Sequence, residues 1–65
     1  MLDEDVADLV RQLCTRAGMI MEHVSVIAIT ARIADVASAR KVTAQLRAAA
    51  ERIGALAKAA EALMD

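Results

Sequence analysis

Apolar side chains recur along the first half of the chain at Leu2, Val6, Leu9, Leu13, Ala17, Ile20, Val24, Ile27 and Ala31. The steps of three and four average about 3.6 residues, the period of an α-helix with one buried stripe. In the second half, Val42, Leu46, Ala49, Ile53, Leu56, Ala60 and Leu63 alternate steps of four and three without exception. That is the heptad spacing of helices packed side by side. Ala50, Ala57 and Met64 widen this stripe on one flank, as a helix in a multi-helix bundle requires.

The ends of the elements are marked by charge and capping residues. Asp3, Glu4, Asp5 and Asp8 place negative charge where the free N–H groups of a first helical turn favour it. Asp35 and Ser38 are the candidate N-caps of the second helix. The pattern predicts an all-α fold, a two-helix antiparallel hairpin with helices at about 3–34 and 39–64 in one domain spanning residues 1–65. A single unbroken helix is the rival, because neither glycine nor proline marks the turn. The change of period and phase across the junction argues for the hairpin. A turn centred near Val36 sets Gly18 level with Gly54. Each glycine costs about 1 kcal/mol in a helix interior relative to alanine. The pair therefore reads either as a close approach of two backbones or as coincidence.

One segment carries a local conflict. Val24, Ser25, Val26, Ile27, Ala28, Ile29 and Thr30 are β-branched enough for a strand, which could pair only with its copy in a second chain. The helical period on both sides favours continuing the helix. Val24, Val26, Ile27, Ile29 and Ile33 then point all round its axis, and a helix apolar on every side is buried on every side. The second helix of the same chain covers one stripe only. The expectation is a homo-oligomer, a homodimeric four-helix bundle. Its core is expected to hold Ile20, Val24, Val26, Ile27, Ile29 and Ile33 from the first helix. Val42, Leu46, Ile53 and Leu56 come from the second. In shape this resembles plasmid copy-number regulators of the Rop type, with no motif in common.

Composition sharpens the picture. Hydrophobic residues make up 58% of the 65, and 16 of them are alanine, while Phe, Trp, Tyr and Pro are absent. So apolar a chain is not intrinsically disordered, and with Cys14 its only cysteine it is no disulfide scaffold. No aromatic ring is available to stack on a nucleobase, a sugar or a flavin. An alanine-rich chain this short has little core of its own, which again favours association. The longest uncharged run, from Val24 to Ala31, is eight residues, against about 20 for a membrane span. The acidic N-terminus is the opposite of a secretory signal. The expected setting is the cytoplasm, away from membranes.

Candidate chemistry is sparse. His23 beside Glu22 on a hairpin helix resembles the dimerisation domain of sensor histidine kinases. In that family the acid follows the histidine and a proline comes later, and this chain has neither feature. His23 therefore reads as a residue at the edge of the apolar stripe. Glu22 and His23 project about 100° apart and cannot chelate one ion, and Met19 with His23 makes no closed site. Cys14 lies in the apolar face beside Leu13 and Ala17, with no base in sequence to activate it. No glycine-rich loop is present to hold a phosphate. No enzymatic activity, cofactor or metal is expected.

Charge is more informative. The net charge is −1, yet residues 32–58 hold six basic residues (Arg32, Arg40, Lys41, Arg47, Arg52 and Lys58) against Asp35 and Glu51. Glu61 and Asp65 join the acids of the N-terminus. The hairpin is thus acidic at its termini and basic towards its turn. Arg40 and Arg47 share a helix face, with Lys41 adjacent. These three read as a solvated surface that aligns hairpins and meets a protein partner, or as a phosphate-contacting face for RNA or DNA. The expected function is a small non-enzymatic regulatory or protein–protein interaction module. A Rop-like nucleic-acid-binding regulator is the alternative.

Overall fold

The computed structural model describes residues 3–65, which form α1 (Glu4–Thr30) and α2 (Val36–Met64) joined by residues 31–35. The chain folds back on itself as an all-α hairpin. Residues 24–30 are helix, so the β-branched run does not override the 3.6-residue period around it.

Capping decides where each helix starts. The Asp3 carboxylate accepts from the Asp5 N–H at 3.4 Å, and Glu4 and Asp5 add negative charge to the first turn of α1. Asp35 caps α2 through a reciprocal box. The Ser38 N–H donates to Asp35 Oδ1 at 2.7 Å, and the Asp35 N–H donates to Ser38 Oγ at 3.1 Å. Ser38 Oγ also accepts from the Ala34 N–H at 3.1 Å and donates to the Asp35 carbonyl at 3.0 Å. The two hydrogen bonds from Ser38 hold the exposed Asp35 carboxyl below its ordinary pKa of 3.8.

Both inner boundaries differ from expectation. α1 stops at Thr30 rather than near 34, because Ala31 turns extended (φ −62°, ψ 134°). α2 begins at Val36 rather than near 39, because the cap is Asp35 and Ser38 is its partner at the third helical position. No residue among those described has positive φ, so the turn needs no glycine. Gly18 and Gly54 mark no close approach either. A Cβ at either position would meet nothing within 4 Å. Sharing a level is not enough: both lie well round their helices from the stripes that touch.

Most of both stripes packs as read, while Leu9 and Leu63 near the open end are exposed and Leu2 lies outside the described residues. On α1, Val6, Leu13, Ala17, Ile20, Val24 and Ile27 are half-buried; on α2, Val42, Leu46, Ile53 and Leu56 are, with Ala49 and Ala60 buried. No large side chain among those described is fully buried. The dimensions explain why. The hairpin measures 51 × 17 × 11 Å, and its shortest dimension is the diameter of one helix. Its radius of gyration is 15.4 Å, against about 11 Å for a compact domain of this length. Folded domains normally stack two layers around a core. This chain supplies one.

Candidate functional site

A single layer of two helices leaves its seam flanked by two broad open faces, and those faces differ. One carries a shallow groove lined by Leu13, Cys14, Ala17 and Met21 from α1 and by Ile53, Leu56, Ala57 and Ala60 from α2. Cys14 is the only ionisable group there, and its thiol is free and exposed. The other face carries a groove of about 350 Å³ lined by Met19, Ile20, His23, Val24, Ile27, Gln45, Ala48, Ala49 and Arg52. There His23 and Arg52 bring polar heads to the rim.

The expected core residues divide into two groups. Ile20, Val24 and Ile27 join Val42, Leu46, Ile53 and Leu56 along the seam. Val26, Ile29 and Ile33 point away from α2 and are 61%, 80% and 62% exposed. Val26 and Ile29 lie roughly 100° or more round α1 from Ile27, so the hairpin leaves them outside. Val36 beside the turn is exposed as well. Val26 and Ile29 thus lie on the outer side of α1, with Ile33 and Val36 beside the turn, and none of the four lines either groove.

The basic residues divide too. Arg40 and Arg47 line one groove on the outer side of α2 with Thr43, Ala44, Ala48 and Glu51. Lys41 is not among its lining, because adjacent helical residues diverge by about 100°. Glu51 places a carboxylate in that same groove. The one ion pair among the described residues joins Arg11 to Asp8, both exposed, where such a pair contributes little.

For catalysis or metal binding the structure assembles little. Among the described residues no three His, Cys, Asp or Glu side chains converge on a common point. The groove beside His23 offers Gln45 and Arg52 as polar neighbours, and neither is a base that could activate a nucleophile. Sequence reasoning missed the asymmetry of the two broad faces. The flank formed by Ala50, Ala57 and Met64 is visible in the heptads, while its counterpart on α1, with Val10, Cys14 and Met21, is masked by the β-branched run that makes α1 apolar all round.

α1 is also long and apolar enough, by length and composition alone, to cross a membrane. Arg16 and Glu22 lie inside it, and each charge near a bilayer centre opposes insertion by about 2.5–3.5 kcal/mol. Compared with known proteins, the chain matches no family model, no curated protein and no solved structure.

Proposed function

We propose that this chain is a non-enzymatic interaction module whose working form is a homodimeric four-helix bundle, with a regulatory role exerted by binding another protein. The observation that carries the reading is surface. The hairpin exposes 5296 Å², about 1,300 Å² more than the roughly 4,000 Å² expected of a folded monomer of 6.9 kDa. Obligate dimers bury about 1,000 Å² or more per chain. The excess is therefore of the size that a second hairpin removes.

A partner protein has a place to sit in such a dimer. Two hairpins stacked on a broad face leave the outer side of α1 uncovered, so Val26 and Ile29 stay available for a further apolar contact. The free Cys14 thiol suits a reducing compartment, and the cytoplasm is the proposed setting. Thermal unfolding at several concentrations tests the assembly. The midpoint is expected to rise with concentration, because binding a second copy stabilises only the folded state. A constant midpoint contradicts the reading.

A second reading has one observation in its favour, the shared groove of Arg40 and Arg47. If this groove contacts phosphates, RNA or duplex DNA is retained in a gel-shift titration at low salt. Retention then falls steeply as salt rises and disappears in Arg40→Glu with Arg47→Glu. If the groove only orients hairpins, wild type retains neither nucleic acid.

A further inference from the structure

Resting on the dimeric reading above, we infer that the second copy seats on the Cys14–Ala57 face. It lies antiparallel, so that the turn of each hairpin is beside the termini of the other. The first support is a second apolar stripe on each helix. On α1 it runs Val10, Cys14, Ala17, Met21, Val24 and Ala28; on α2 it runs Leu46, Ala50, Ile53, Ala57, Ala60 and Met64. Both have the same steps of four, three, four, three and four. Each is the inter-helix stripe rotated by roughly 50°, one heptad position along the packing surface. The groove shared by Cys14, Met21 and Ala57 puts both rotations on the same broad face. A helix with two overlapping heptad stripes contacts two neighbours, as each helix of a four-helix bundle does. The hairpin supplies one neighbour. The partner's helices supply the other.

The second support is the contrast with the opposite face. Seating a copy there would bury the Arg52 guanidinium in a groove that offers it no carboxylate. Desolvating an unpaired charge opposes association strongly. The Cys14–Ala57 groove has no such groups to strand.

Charge complementarity sets the direction. One end of the hairpin carries Asp3, Glu4, Asp5, Glu61 and Asp65, and the turn end carries Arg32, Arg40 and Lys41 against the single carboxylate of Asp35. An antiparallel copy brings the basic turn of one hairpin to the acidic end of the other at both ends of the bundle. A parallel copy sets like against like at both.

A matched pair of substitutions tests the face. Ala57 and Ala59 are both exposed alanines two residues apart on α2, and only Ala57 lines the groove. By sedimentation equilibrium, Ala57→Arg is expected to weaken dimerisation at least roughly 100-fold, with or without loss of helicity. Ala59→Arg is expected to remain dimeric beside the wild type. Dimeric wild type with both variants dimeric, or with only Ala59→Arg dissociated, overturns the proposed face and leaves the dimeric reading standing. Monomeric wild type overturns both.

Spin labels test the direction. Ala37 is exposed near the turn, so Ala37→Cys in a Cys14→Ala background carries one label per chain. Double electron–electron resonance is expected to give a separation of about 40 Å or more, the length of a helix of this size. A separation near two helix diameters, about 20–25 Å, places the turns side by side and overturns the antiparallel arrangement.

Discussion

Met21 and His23 stand two residues apart on α1 and look onto opposite faces of the same hairpin. Around Met21 the neighbours are Cys14, Ala17, Ile53 and Ala57; around His23 they are Met19, Gln45, Ala48 and Arg52. Backbone, helix pair and half-buried seam are common to both. The difference lies wholly in the side chains one heptad position to either side of the seam. Where they are apolar on both helices, a further helix can continue the packing. Where Arg52 stands, covering the groove would strand a charge. On the dimeric reading proposed above, the uncharged flank is the side that a second copy covers.

The comparison can be broken from the seam outwards. The largest expected effect is Ile27→Glu, which sets an unpaired carboxylate in the half-buried seam between the helices. Such a charge costs about 3–5 kcal/mol when buried, a large share of the 5–15 kcal/mol that stabilises a small domain. Circular dichroism is expected to show unfolding at micromolar concentration rather than a helical monomer. Met21→Lys comes next. It places a charge on the uncharged face alone, and its signature is a dimer dissociating at concentrations where wild type stays associated, read by sedimentation.

Smaller effects sharpen the picture of what does not touch. Gly18→Ala and Gly54→Ala are each expected to stabilise by up to about 1 kcal/mol, because the added methyl meets nothing within 4 Å and helix propensity improves. Denaturant titration measures this, and a destabilised variant places that glycine under a partner.

Asp35 gives a pH dependence of known sign. Its carboxyl is held below the ordinary value of 3.8 by hydrogen bonds from Ser38. The stabilisation is therefore fully present above that value and is lost as pH falls through the lower folded pKa. Asp35→Asn keeps a good cap and is expected to flatten the melting midpoint over that window, compared with wild type across an acid titration. The smallest effect is His23→Gln, on the charged face, which is expected to leave melting midpoint and mass unchanged.

Much of the fold was legible because its causes are local. The stripes Val6 to Ile27 and Val42 to Ala60 announce themselves by period, and Asp35 announces the second helix by capping chemistry. The end of α1 was not legible. Ala31 and Ala34 are good helix formers, so local propensity does not stop the helix at Thr30. The stop comes with Ser38 Oγ, which draws the N–H groups of Ala34 and Asp35 to the next helix. The outward course of Val26 and Ile29 escaped for a related reason. Apolarity all round an axis tells that something covers each side, and only the position of α2 tells which side is already covered. Of the two readings of the glycine pair, coincidence holds, because a shared level says nothing about rotation about each helix.

The measurement that bears most directly on the central claim is sedimentation equilibrium of the wild-type chain at micromolar concentration, with helicity recorded on the same sample. A hairpin one helix thick, with no large side chain fully buried, is expected to sediment at twice the 6.9 kDa chain mass while fully helical. A helical species at the single-chain mass, persisting on dilution, contradicts it.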